Sequence, residues 1–276
     1  MGRGSGFPIP LGAVGRLGLP GVLVIVALIV VMNVCSGTDI DPGVGELEAG
    51  SGQPGNDPIP RSQDPDADLV DFVSFVLDDV QDEWDDLFRI SSLTYRDAEL
   101  VLFEGSTSSA CGGASEVIGP HYCPIDERVY LDLDFFRELA SRLGAPGDYA
   151  QAYVIAHEIG HHVQQVLGTT DRVRDLQRSE EGDSNELSIR LELQADCFAG
   201  VWGHSTFQRE LLETGDLAEA LGAASAVGDD RLQQERGGRV NPETWTHGSA
   251  EQRMDWFRRG FESGDPGECD TFDAQI

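Results

Sequence analysis

The sequence contains no lysine. All 19 of its basic residues are arginine, set against 49 Asp and Glu for a formal net charge of −30. A surface of that sign repels phosphate backbones and anionic headgroups, which excludes nucleic acid and, for the soluble part, anionic membrane surface as partners. The bias suits a salt-rich environment, and a GC-biased genome would favour arginine in the same way. Charge of either sign is missing from Leu17 to Thr38, 22 residues whose densest part, Val22 to Met32, is aliphatic throughout. A close C-x-x-C pair is also missing, which argues against a structural zinc held by thiolates.

The uncharged stretch would span about 30 Å as a helix, enough for a bilayer core. Arg3 and Arg16 precede it, and Asp39, Asp41, Glu46 and Glu48 follow. The basic flank is therefore expected to stay in the cytoplasm while the rest is exported. A cleaved signal peptide is the competing reading, because the strictly apolar run is only 11 residues. Against it, the lead is long and no A-x-A site follows. The predicted organisation is a short cytoplasmic segment (1–16), a single-pass membrane anchor (17–38), an acidic disordered linker rich in Pro, Gly, Asp and Ser (39–67), and one domain over 68–276.

From Asp68 the pattern changes. Leu69, Val70, Phe72, Val73, Phe75, Val76, Val80, Trp84, Leu87 and Phe88 predict an amphipathic scaffold helix. "AELVLF" and "RVYLDLDFF" then read as strands, the second alternating Val129, Leu131 and Leu133 with polar neighbours. Further on, Thr206 to Glu213 and Asp216 to Arg236 look helical, parted by Thr214 and Gly215.

The chemistry lies between these segments, in "YVIAHEIGHHVQQVLG", Tyr153 to Gly168. Pro146, Gly147 and Asp148, with Asp148 as N-cap, start a helix that Gly168 ends. His157 and His161 are four apart and share one face. Glu158 sits one residue on, rotated around the axis, where its carboxylate reaches a water held between the imidazoles without being a ligand. This is the H-E-x-x-H arrangement of zincins. Catalytic zinc needs a third protein ligand and an open position. "RLELQADCFAG", Arg190 to Gly200, supplies it on a second helix capped by Ser184 or Asn185. Glu192 and Asp196 lie four apart on it, amid Leu191, Leu193, Ala195, Phe198 and Ala199. Burying two carboxylates there is costly unless a cation awaits them. We read Glu192 as the ligand and Asp196 as an acceptor for the outer N–H of an imidazole, although spacing alone leaves the two interchangeable.

Five segments resemble the bacterial neutral zinc metallopeptidases: "LVLFEGSTSSACG", "YCPIDERVYLDLDFF", "GAPGDYAQAYVIAHEIGHHVQ", "RLELQADCFAGVW" and "THGSAEQRMDWFRRGFESG". The likeness extends over about Asp68 to Phe272. The E-x-x-A-D of Glu192 to Asp196 is also similar to the third-ligand motif of membrane-associated gluzincin peptidases, and this ranks Glu192 ahead of Asp196. The resemblance implies an α+β zincin-like fold, mainly helical with a small sheet. In such folds an edge strand above the metal helix pairs with an extended substrate, and one of the two predicted strands is the candidate. The resemblance does not imply a substrate. The residues themselves are read as holding Zn2+ on His157, His161 and Glu192 with Glu158 as general base, and the expected export makes the substrate a protein or peptide outside the cytoplasmic membrane. His247, in "TWTHGSAEQR", is the candidate donor to the oxyanion of the tetrahedral intermediate. His121, His162 and His204 carry no such signal and read as ordinary polar histidines. The alternative is an exported zinc-binding domain without activity.

The cysteines fit export. Apart from Cys35, which follows Val34 and so is poorly placed for lipidation, four remain and allow three connectivities. Cys111 with Cys123 is the local choice, closing a hairpin-like loop. Cys197 with Cys269 would then tie the second metal helix to the chain end.

Overall fold

The computed structural model describes residues 64–112, 119–179, 183–235 and 237–276. The anchor expected at 17–38 and nearly all of the linker lie outside them. Among the described residues no helix is long and apolar enough to cross a membrane.

Helix α1 (Ala67–Ile90) buries Val73, Val76, Val80, Trp84 and Phe88, a stripe at helical spacing. Trp84 meets Phe198 edge to face with centroids 5.0 Å apart, which fixes α1 against the helix bearing Glu192. A small sheet follows, with strand order β1-β3-β2: β1 (Glu99–Phe103) is parallel to β3 (Arg128–Asp132), and β2 (His121–Cys123) is antiparallel to it. The strand predicted over "RVYLDLDFF" stops at Asp132. The Asp132 carboxylate accepts from the Asp134 N–H and caps helix α2 (Leu133–Ser141), so Leu133, Phe135 and Phe136 belong to a helix. N-capping by aspartate here prevails over the alternation that would have continued the strand.

The core is organised around α3 (Asp148–Val166), which is buried on nearly every side. Gly147, not Asp148, holds its N-cap position. After the short α4 (Thr169–Ser179) comes α5 (Ser184–Gln208), capped one residue earlier than expected, by Asp183, whose side chain accepts from the Asn185 and Glu186 N–H groups. Glycines set how closely these helices approach. A Cβ on Gly160 would lie 2.9 Å from the Ala195 carbonyl oxygen, so α3 and α5 cross with backbone almost on backbone. That crossing brings the H-E-x-x-H turn to the turn holding Glu192 and Asp196.

Helix α8 (Ala250–Ser263) packs as tightly on the other side of α5. A Cβ on Gly200 would stand 2.1 Å from the Phe257 oxygen, and one on Gly260 would stand 2.0 Å from the Cys197 oxygen. The helix expected at Thr206 to Glu213 does not form separately, because α5 runs on to Gln208 and the chain then leaves helical geometry, with Glu210 at φ 57°. The helix expected over Asp216 to Arg236 is two, α6 (Asp216–Ala226) and α7 (Asp229–Glu235). They part at Gly228, where a Cβ would lie 2.4 Å from the Ala250 nitrogen. Both disulfides form as expected, Cys111–Cys123 across the β1–β2 connection and Cys197–Cys269 between α5 and the C-terminal segment.

Candidate metal centre

His157 and His161 stand one turn apart on α3, their rings 4.8 Å between centroids and nearly perpendicular. Both present Nε2 to the Glu192 carboxylate of α5, at 3.2 Å from His157 and 3.5 Å from His161. One ligand atom from each of the three lies within 4.8 Å of the others. The opposite face of each ring is committed. His157 Nδ1 lies 2.8 Å from Asp196 Oδ1 and His161 Nδ1 lies 2.9 Å from Gln164 Oε1. The Gln164 amide orientation follows from its nitrogen, which donates to the Leu191 carbonyl and to Gln194 Oε1. Both Nδ1 atoms are therefore assigned the proton, from their partners.

Each Nε2 is then left with a lone pair aimed at the oxygens of a carboxylate. Acceptors facing acceptors at this range require positive charge between them. Two neutral imidazole nitrogens, one carboxylate and a cleft open beside them make the donor set of a catalytic zinc, so the residues fit that ion. Without an ion, protons meet the same demand. Burial opposes charging of His157, yet Asp196 outweighs it and raises the imidazole to about 9. His161 is raised in the same way, by Glu192 against burial. Burial would raise Glu192, but the two histidines hold it well below the usual carboxylate range.

Behind His157, the expected acceptor Asp196 belongs to a buried network whose other members, Tyr153 and Arg253, the sequence did not disclose. Asp196 is wholly buried and receives Arg253 Nε at 2.8 Å, Arg253 Nη2 at 2.9 Å and the Tyr153 hydroxyl as well as the imidazole. Arg253, from α8, also donates to the Tyr153 hydroxyl and the Val227 carbonyl. Burial alone would raise the Asp196 carboxyl; Arg253 and His157 together keep it below its ordinary value. These partners favour the carboxylate form of the aspartate, which is fit to hold an N–H in place. Gln164 does the same for His161. Its position three residues after a candidate ligand was a usable signal, whereas nothing local marks Arg253.

Glu158 and His247 line the same cleft, of about 530 Å³, as His157, His161 and Glu192. Glu158 is 7% exposed. His247 comes from the loop before α8 and is oriented from behind by Asp229, whose carboxylate accepts from the Thr246, His247 and Gly248 N–H groups and from His247 Nδ1 at 3.2 Å. The hydrogen bond to Asp229 raises the His247 pKa against the effect of burial. Asp229 is a second residue that sequence reasoning missed.

Among the other histidines, His162 points away from the cleft. It is fully buried, its Nε2–H donates to the Arg96 carbonyl at 2.6 Å, and its Nδ1 accepts from the Tyr122 hydroxyl. Burial lowers its pKa. His204 reaches the Phe261 carbonyl and lies apart from the cleft, whereas His121 is stacked on Tyr130 at the cleft rim. The edge strand at the cleft is neither of the two predicted. β3 is central and has neighbours on both sides, and β1 contributes nothing to the lining; residues 119–124, containing β2, form that wall.

The comparisons with known proteins identify a family. The family model described as "Putative neutral zinc metallopeptidase" matches residues 2–272. Uncharacterized protein YpfJ of Escherichia coli K12 is 52% identical over 218 residues, covering 78% of this chain and 76% of its own. Uncharacterized protein Mb2605 of Mycobacterium bovis and Uncharacterized protein Rv2575 of Mycobacterium tuberculosis are each 47% identical over 191 residues, 65% of this chain and 64% of theirs. No solved structure matches. With a match over almost its full length and relatives of this identity, the chain belongs to this zinc metallopeptidase family.

Proposed function

We propose that the chain is a zinc-dependent endopeptidase that cleaves proteins or peptides outside the cytoplasmic membrane, held there by residues 17–38. The observation that best supports this is the pair of imidazoles with Nδ1 tied to Asp196 and Gln164 and Nε2 turned toward Glu192. In this reading His157, His161 and Glu192 hold the ion. Zinc bound there supplies Lewis acidity, bringing the pKa of water to about 7 and polarising a carbonyl. Glu158 takes the proton of the attacking water and later hands it to the leaving amine. His247, whose pKa Asp229 raises, donates a hydrogen bond to the developing oxyanion. The outer edge of β2 offers backbone partners to an extended substrate.

The alternative, an inactive zinc-binding domain, has no need of Glu158 beside the ligands. Elemental analysis and a peptide-library digest of the purified full chain separate the two. We expect one zinc per chain and cleavage within peptides, both lost to a chelator and restored by zinc. Metal without cleavage would favour the inactive domain, and absence of stoichiometric metal would sink both readings.

Export is supported by the two disulfides, since such bonds persist in oxidising compartments. A topology reporter joined after Asp68 should therefore be active only on the extracytoplasmic side. Activity in the cytoplasm would overturn the orientation of the anchor.

A further inference from the structure

The wall of the cleft opposite β2 is one face of α4. Thr170, Val173, Arg174 and Gln177 recur along it at helical spacing and all line the cleft. The wall is fixed in place: Val173 is 1% exposed, and the Gln177 amide donates to the Ser184 carbonyl and the Ser188 hydroxyl of α5. Arg174 is the cation of this wall, with its side chain 36% exposed. Its nearest carboxylate, Asp171 on the same helix, is 3.8 Å away and itself 65% exposed. That distance is too long for a hydrogen bond, and exposed pairs of this kind contribute little.

Other arginines of this acidic chain are differently served. Arg96, Arg128, Arg209 and Arg253 each hold a carboxylate oxygen at 2.8 Å or closer. Arg172 and Arg178, on the same helix as Arg174, are exposed and do not line the cleft. A helix that needed arginine only for solubility has those two. Arg174 instead lines a cleft that also holds Glu158 and Glu192, in a chain of net charge −30. Its charge also reaches across to the Tyr122 phenol on the β2 wall, where it opposes the dominant effect of burial. A chain lying along β2 therefore passes within the field of Arg174.

We propose that Arg174 is a specificity-determining residue that selects peptides carrying a carboxylate, an acidic side chain lying over α4. The planar guanidinium fork matches a carboxylate with two parallel hydrogen bonds, which a neutral amide cannot reproduce. The proposal rests on the peptidase reading for the reaction, but recognition itself is measurable as binding.

The test uses labelled, C-terminally amidated peptides that differ only in Glu, Gln or Lys at successive positions, with one Gln peptide repeated as the free acid. Binding to the full chain is read by fluorescence anisotropy, and kcat/KM is measured wherever cleavage occurs. We expect one position at which Glu is preferred over Gln by roughly 10-fold, the scale of a partly exposed charged hydrogen bond. Arg174→Gln should bring that ratio to about 1, and Arg174→Glu should turn the preference toward Lys. A gain confined to the free-acid peptide would place the recognised carboxylate at the chain end and overturn the assignment to an acidic side chain. Equal binding of Glu and Gln peptides, or a preference that survives Arg174→Gln, overturns it. If no peptide is cleaved, the peptidase reading fails separately, while the binding ratios still decide the role of Arg174.

Discussion

Glu158→Gln is expected to keep its full complement of zinc and to lose hydrolysis by on the order of 10²- to 10⁴-fold, the usual contribution of a positioned base. Glutamine preserves the volume and one acceptor of the side chain while removing the group that can take a proton. The residue lines the cleft beside His157 and His161 without forming part of the three-residue group that can hold the ion, so metal affinity and turnover should separate. Elemental analysis and kcat on a cleaved library peptide measure the two. Near-native turnover would show that another group, with His247 the first candidate, moves the proton. Loss of zinc together with activity would instead place Glu158 among the ligands.

The parts of the site that were legible in the sequence are those fixed by one helix at a time. A four-residue repeat puts His157 and His161 on one face whatever the rest of the fold does, and the same holds for Glu192 and Asp196. The crossing that joins the pairs was not legible, because it depends on Gly160 having no side chain where α3 meets Ala195. Arg253 follows Asp196 by 57 residues and meets it only after α8 has packed on α5 through Gly200 and Gly260. Asp229 is hidden for a related reason. It opens α7, and its use as an acceptor for three successive backbone N–H groups requires the loop before α8 to fold back upon it.

Errors in the fold follow the same division. β2 has three residues, too few for an alternation to show, and it exists because β3 pairs with it and Cys123 is bonded to Cys111. Its importance at the cleft was therefore assigned to longer strands. Leu133 satisfied the period of a strand and that of a helix alike, and only the capping carboxylate of Asp132 decides between them. The break between α6 and α7 is a close approach at Gly228, which a sequence pattern of good helix formers conceals.

Substitutions at the two carboxylates of α5 should fail in different ways. Glu192→Gln replaces an anionic donor with a neutral amide at a position that is 19% exposed and faces both Nε2 atoms, so zinc affinity and activity should fall together. Asp196→Asn leaves the three ligands in place and weakens only the acceptor behind His157, a change expected to reduce affinity or activity about 10- to 100-fold. Its effect on folding should be the greater one. Arg253 is 3% exposed and pairs with Asp196, and a buried cation deprived of its anion typically costs on the order of 3–5 kcal/mol. In Glu192→Gln no buried cation is stranded, because His157 keeps Asp196 as its anion and His161, whose pKa Glu192 raises, can lose its proton. Zinc titration against a competing chelator, with urea unfolding of the metal-free variants, resolves the two effects. The expected pattern is the larger affinity loss for Glu192→Gln and the larger stability loss for Asp196→Asn. A larger affinity loss for Asp196→Asn, measured under conditions where that variant remains folded, would exchange the roles of the two residues.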